Sequence, residues 1–205
     1  MDGKKYGRSF IRAILAGMAI SIGCCVYLGC DVKWVGAVLF AVGLMTVVAF
    51  KLDLYTGKVG YIVENPPSYL WFMPVIIIGN FVGCLITGLM MPIDAAQVLT
   101  TNKLGLEWYE VLFRGVFCGM LMFIAVDFHK QKNSFLALVF CVPVFILAGF
   151  EHSIADMFYF CSAGVFSLDA LVFIIIVIIG NGIGGMLIPF CRKFMYDPQP
   201  PAKTE

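Results

Sequence analysis

The sequence predicts an all-α membrane protein, with six transmembrane helices arranged as two inverted repeats of three and one broken helix in each repeat. Three observations lead there. Of 205 residues, 61% are hydrophobic and 13% are charged, whereas a soluble domain is nearer half apolar and a quarter charged. Apolar runs recur at the length needed to cross ~30 Å of hydrocarbon. The second half of the chain also echoes the first. The expectation is one compact membrane domain over residues 10–191, with short cytoplasmic tails at 1–9 and 192–205.

Residues 10–28 form the first full-length run, preceded by a basic tail carrying Lys4, Lys5 and Arg8. No small-residue cleavage site follows this run, so it reads as a retained span rather than a signal peptide. A second run, 34–50, stops at Lys51-Leu52-Asp53-Leu54-Tyr55-Thr56-Gly57-Lys58 and resumes only over 60–63. Glu64-Asn65-Pro66-Pro67 is a loop, 69–91 is the third span, and Pro92 ends it. Residues 93–110 form a polar connection that includes Lys103, and 111–126 the fourth span. After a basic loop at 127–134, the run 135–150 meets Glu151, His152 and Asp156 before continuing to 166. The last span is 168–191, and the proline-rich composition of 192–205 predicts no packed structure. Trp34, Trp108 and Tyr159 near span ends read as interfacial anchors, and Asp169 as a cap for the last span.

Sliding the chain by 102 positions brings Arg12, Gly17 and Met18 onto Arg114, Gly119 and Met120. An offset of 101 brings Gly79-Asn80 and Gly83 onto Gly180-Asn181 and Gly184. Fixed offsets mark repeats, here spanning 10–91 and 111–191. Three crossings per half is an odd number, so the second half enters the membrane from the opposite side. Inverted repeats place a binding site near the midplane, at discontinuous helices in corresponding positions. The breaks fall at 53–57 and 149–153, where irregular backbone survives only if buried in protein or lining a polar cavity. The paired glycines serve close helix approach, and Asn80 and Asn181 are expected to bond across helices. Asp53 and Glu151, each just before a half-helix, are candidates to accept its free N–H groups.

Lys and Arg set orientation. The N-terminal tail, Lys51/Lys58, Lys130/Lys132 and Arg192/Lys193 share one side, leaving Lys33 and Lys103 on the other, so both termini are expected in the cytoplasm. A net charge of +1 suggests no nucleic-acid partner. The cysteines sit mostly inside apolar runs and read as small hydrophobes, neither a disulfide framework nor a metal set.

Leu54-Tyr55-Thr56-Gly57, Gly149-Phe150-Glu151-His152-Ser153-Ile154-Ala155, Arg114-Gly115 and Gly180-Asn181 with Gly184-Gly185 together resemble the formate/nitrite transporter family over roughly residues 10–191. The resemblance implies an aquaporin-like fold in a homopentamer, one pore per subunit, and passage of small monovalent anions: formate first, then nitrite, hydrosulfide or short carboxylates such as acetate and lactate. It implies His152, Thr56 and Lys103 at the pore centre, with Phe40 and Leu44 as the outer constriction and Leu54 and Phe145 as the inner one. Glu151, Asp53, Asp156, Asn80 and Asn181 support them. No metal or cofactor is implied. Three positions depart from the pattern: Asp156 and Gly119 stand where the family usually has Asn, and Lys51-Leu52 where small residues are expected.

A dry ring of Phe and Leu blocks charge, since a charged side chain at a helix centre costs ~2.5–3.5 kcal/mol on insertion scales. A weak-acid anion crosses such a ring with a proton. Either His152 supplies that proton, or His152 stays neutral while Lys103 and half-helix N-termini attract the anion and bulk water supplies it. A neutral-solute facilitator of aquaporin type needs Asn-Pro-Ala at the breaks, and neither has it. An intramembrane metalloprotease needs His-Glu-x-x-His, and the only other histidine is His129. The chain is therefore read as a transporter, not an enzyme.

Overall fold

Nine α-helices hold most of residues 3–195, the residues that the computed structural model describes. They are α1 (Gly3–Gly29), α2 (Lys33–Ala49), α3 (Tyr55–Lys58), α4 (Phe72–Met90), α5 (Asp94–Leu104), α6 (Trp108–Lys132), α7 (Leu136–Leu147), α8 (Ser153–Ser162) and α9 (Leu168–Met195). Helix α3 continues as a 3-10 turn over Val59–Glu64, and another, Pro67–Trp71, leads into α4. Four helical stretches are long and apolar enough to cross a membrane: Gly3–Gly29, Pro67–Met90, Trp108–Lys132 and Leu168–Met195. The shorter α2 and α7 are each followed by a half-helix. Helix α1 begins at Gly3, so what reads as a tail up to Ser9 is its first turns. Helix α9 runs past Cys191 to Met195, and the remainder of the expected C-terminal tail lies outside the described residues.

The two halves repeat in packing as well as order. Helix α1 packs on α2 and α4, and α6 packs on α7 and α9. The 3-10 half-helix lies on α9, as α8 lies on α4. Close pairing of α1 with α4 and of α6 with α9 depends on glycine. A Cβ at Gly17 would collide with the Asn80 carbonyl oxygen and lie 3.1 Å from its Cα. One at Gly119 would collide with the Asn181 carbonyl oxygen and lie 2.7 Å from its Cα. Between helices in lipid, such close backbone approach replaces the hydrophobic effect as the source of cohesion. Gly119, the first family departure, thus belongs to a helix contact.

The first break runs earlier than 53–57, because helix resumes at Tyr55. Within the breaks the two halves correspond at an offset of 98, since Tyr55 and Ser153 restart the half-helices 98 positions apart, three to four residues short of the 101–102 that relates the flanking spans. Both breaks turn through a left-handed residue at the equivalent place, Lys51 (φ 53°) and Gly149 (φ 69°). Glycine adopts this conformation freely, whereas a side chain there is strained by about 1–2 kcal/mol. Lys51, another departure, carries that strain.

The polar connection at 93–110 is mostly the helix α5. Asp94 in its first turn and Lys103 in its last complement the helix dipole, and α5 packs against α8. Helix α6 opens with a reciprocal capping box between Glu107 and Glu110. At the start of α9 the cap is Ser167, whose Oγ accepts from the Ala170 amide at 3.1 Å, rather than Asp169. Trp34 and Trp108 are each 63% exposed, consistent with a boundary position, but Tyr159 is buried at 5% and is not an interfacial anchor. All eight cysteines are free.

Candidate functional site

A half-helix starting inside a membrane protein leaves backbone N–H groups without helical partners. Two asparagines meet that need. Asn80 Oδ1 accepts from the Tyr55 amide at 3.0 Å, while its Nδ2 donates to the Asp53 carbonyl at 2.9 Å and the Ala13 carbonyl at 2.8 Å. Asn181 does the same in the second half: Oδ1 accepts from the Ser153 amide at 2.9 Å, and Nδ2 donates to the carbonyls of Glu151 at 2.8 Å and Gly115 at 2.9 Å. Each asparagine grips the residues on both sides of one position, Leu54 in the first break and His152 in the second. Both asparagines are fully buried.

His152 caps α8. Its Nδ1 accepts from the Ala155 amide at 3.1 Å, and its Nε2 lies 2.9 Å from Thr56 Oγ1. A backbone N–H can only donate, so Nδ1 carries no proton. The neutral ring then bears its proton on Nε2 and donates it to Thr56. Protonating the ring at Nδ1 would break the cap. The Thr56 hydroxyl proton is not used in this bond. The two broken helices therefore meet directly at Thr56 and His152, and both residues are buried.

The acids do not cap the half-helices; they are held in ion pairs. Asp53 accepts from Ser9 Oγ at 2.9 Å and Arg12 Nε at 3.0 Å, and its other oxygen lies 3.0 Å from Lys58 Nζ. In the second half, Lys103 from α5 contacts Glu151 directly and Asp156 Oδ1 at 2.9 Å. The rings of Tyr159 and Phe173 lie 5.7 and 5.9 Å from its ammonium. Lys103 lines the same cavity as His152 and takes no part in the Thr56–His152 bond.

Two cavities open on opposite sides of the Thr56–His152 bond. The first, about 230 Å³, is lined by His152, Phe145, Lys103, Glu151, Asp156 and Arg114 among others. The second, about 360 Å³, is lined by Leu54, Val47, Lys51, Lys58, Lys130 and His129 among others. Apolar residues separate them. Phe145 stands edge-on to Phe40 with ring centroids 5.7 Å apart, and stacks on His152 at 5.6 Å. Phe40, Leu44, Leu54 and Phe145 are all buried in one core cluster. Leu44 is one helical turn beyond Phe40, about 6 Å along α2, toward the second cavity. Phe40 is thus in contact with Phe145, whereas Leu54 lines the second cavity. Contacts across the repeats, rather than neighbours on one helix, bring the phenylalanines together.

Sequence reading gave Arg114 and Tyr159 no place in the site, although both line the first cavity, and it missed the partners of Asp53. The Arg12/Arg114 coincidence marks the repeat but not a shared partner: Arg12 pairs with the Asp53 carboxylate, whereas Arg114 donates to the Gly149 carbonyl at 3.5 Å. Among the described residues no cluster of three or more His, Cys, Asp or Glu side chains suits a metal ion.

A family model described as formate/nitrite transporter matches residues 3–195. The formate channel FocA of Escherichia coli K12 is 26% identical over 183 residues, covering 74% of this chain and 64% of FocA. The nitrite transporter NirC of the same strain is 25% identical over 141 residues, covering 59% of this chain and 53% of NirC. The chain thus spans less than two thirds of the length of these relatives. A solved structure described as a pentameric formate channel with formate bound superposes with a TM-score of 0.81 at 22% identity, covering 95% of this chain and 98% of that one. A second, described as an FNT family ion channel, has the same TM-score at 20% identity. The fold is that of these channels, and with its long apolar helices the protein is a multi-pass membrane protein. Matched over every described residue, the chain belongs to the formate/nitrite transporter family.

Proposed function

We propose that this protein is a channel for small monovalent anions of weak acids, formate first and nitrite second, which pass with a proton through one pore per subunit. The observation that carries this reading is the Thr56–His152 bond, at the meeting point of two half-helices and between two cavities. The pore runs from the first cavity past Phe40 and Phe145, along the Thr56–His152 pair, and past Leu44 and Leu54 into the second. Apolar rings on both sides exclude bare charge, because an ion entering them sheds water and gains no partner. A neutral acid loses far less. Thr56 supplies a hydroxyl between the rings, and a neutral His152 holds it by hydrogen bonding.

The basic second cavity supports a cytoplasmic location for that end. Lys51, Lys58 and Lys130 line it, and Lys193 Nζ donates to the Val63 carbonyl at 3.0 Å close by, as the positive-inside rule requires. On this reading the described domain makes six crossings, four continuous and two broken, and both termini are cytoplasmic. Its apolar outer faces sit against lipid and neighbouring copies in a homopentamer, the assembly named for the superposed formate channel.

Flux in proteoliposomes tests the reading, comparing formate, nitrite, hydrosulfide, acetate and lactate across external pH. Uptake of formate or nitrite that rises as pH falls is the expected result. Electrogenic uptake indifferent to pH refutes proton-accompanied passage, and His152→Ala with unchanged flux and selectivity removes His152 from the pore. Faster hydrosulfide or lactate uptake reassigns the substrate within the same mechanism.

A further inference from the structure

We propose that Asp156 and Glu151 share one proton on the wall of the first cavity and hand it to the incoming anion, so that the solute meets Phe40 and Phe145 as a neutral acid. The inference rests on the anion-passage reading and names the group that supplies the proton. Lys103 touches both carboxylates, which brings the two acids close together around one ammonium. Fully ionised, the three groups carry one net negative charge on carboxylates only 1–2% exposed; Arg114, the other cation lining the cavity, is directed to the Gly149 carbonyl at 3.5 Å and forms no ion pair with either acid. One proton makes the cluster neutral, and two carboxyl groups crowded together commonly retain one between them. The first half shows the contrast. Asp53 is a single acid facing two cations, Arg12 and Lys58, and needs no proton. Lys58 and Asp156 occupy equivalent positions, 98 residues apart, so the second half has an acid where the first has a base.

A second observation locates the proton. Asp156 Oδ1 faces Lys103, but the buried Oδ2 has no hydrogen-bond partner. An acceptor buried without a partner costs about 1–3 kcal/mol, and a hydroxyl at Oδ2 converts it to a donor beside the cavity that Asp156 lines. Other titratable groups near Asp156 are Cys24 on α1, Cys118 on α6 and Tyr159 on α8 itself, with His152 lining the same cavity. From α4, Cys84 is bonded to the Ile154 carbonyl. Thiols and phenols ordinarily ionise above about pH 8, which leaves the carboxyl pair as the proton store.

The step balances. The O–H bond at Asp156 breaks and an O–H bond forms on the anion, whose negative charge passes to the carboxyl pair. There it rests 2.9 Å from the Lys103 ammonium instead of against phenyl rings. A proton from cavity water then reloads the pair, so one anion and one proton cross together. His152 is the poorer donor, because its only proton is bonded to Thr56 and its other nitrogen caps α8.

The test compares wild-type protein with Asp156→Asn and Asp156→Glu in proteoliposomes, following formate uptake from about pH 5 to about pH 8 after subtracting protein-free vesicles. Asparagine keeps the shape and the Lys103 contact but holds no proton. Its uptake should fall by about a hundredfold near neutral pH, the low end for a positioned acid, and approach wild type at low pH as bulk water supplies the acid. Glutamate should restore the wild-type profile. An infrared carboxylic-acid C=O band at neutral pH, lost in Asp156→Asn, provides a readout that does not need transport. Parallel pH profiles for wild type and Asp156→Asn, or no such band, overturn the shared proton and leave anion passage standing. No formate or nitrite uptake by wild type overturns the channel reading itself.

Discussion

Removing the Asn181 side chain should be among the most damaging changes available in this chain. Asn181→Ala takes one donor from two carbonyls, Gly115 and Glu151, and one acceptor from the Ser153 amide. Stranding three buried backbone groups at about 1–3 kcal/mol each would suggest a loss well above 3 kcal/mol. Two effects reduce it. Interhelical hydrogen bonds in membranes average nearer 0.6 kcal/mol, and water from the first cavity can reach the Glu151 end. A loss of about 3 kcal/mol remains, or roughly 6–12 °C in melting temperature for a chain of this size. Asn80→Ala strands the matching set, the Tyr55 amide and the Asp53 and Ala13 carbonyls, and should cost the same within about 1 kcal/mol. Thermal unfolding of both variants in detergent is the assay. The functional consequences should differ, because Asn181 grips the residues on both sides of His152 and Asn80 those on both sides of Leu54. Asn181→Ala should depress formate flux, whereas Asn80→Ala should admit ions that the wild type excludes. A loss under 1 kcal/mol in both, or two variants with the same flux defect, would refute the account of the asparagines as clamps.

The left-handed residues at the breaks give a pair of opposite expectations. Gly149→Ala meets only Arg114 Nη1, at an ordinary 3.6 Å, so its cost should be backbone strain alone, about 1–2 kcal/mol. Lys51→Gly should relieve that strain, a gain held below about 1 kcal/mol by the greater freedom of glycine in the unfolded chain; both are read by thermal unfolding, and a stabilising Gly149→Ala would contradict the assigned conformation. Thr56→Val keeps the shape of the side chain and removes the acceptor of the His152 Nε2 proton. Stranding that donor should cost about 1–3 kcal/mol and reduce formate flux, with Thr56→Ser restoring both; wild-type flux in Thr56→Val would show that the pair does not line the pore.

Most of the fold was legible because its causes are local in the chain. Apolar run length marks the spans, and the interruptions at Lys51–Lys58 and at Glu151–His152 mark the breaks. The repeat was legible because glycines at helix crossings and buried asparagines tolerate few substitutes. What could not be read depends on contacts between distant segments. Phe40 meets Phe145 only because α2 packs on α7, a contact that no neighbouring residue in the chain announces. Helix α5 was hidden by its polarity, although Asp94 and Lys103 at its ends are ordinary helix signals. Nothing near Lys103 in the chain announces that it will lie against Glu151 and Asp156.

The repeat also separates architecture from chemistry. Where the two halves agree, the shared residue satisfies backbone: Asn80 with Asn181, Gly17 with Gly119, and Lys51 with Gly149 in conformation if not in residue. These must match, because both half-helices leave the same amides exposed. Where the halves disagree, the residue lies on the proposed pore or its wall. Leu54 stands opposite His152, and Lys58 opposite Asp156. One break thus presents an apolar side chain and a cation, and the other an imidazole and an extra acid. A duplicated scaffold with identical pore residues would offer a solute the same electrostatics from both sides. On the proposed pathway a solute has a basic cavity at one end and carboxyl groups at the other, so the proton it carries is exchanged in different surroundings at its two ends. Exchanging the signs, with Lys58→Asp and Asp156→Lys together, should therefore move the pH sensitivity of flux from the first cavity's side to the second's.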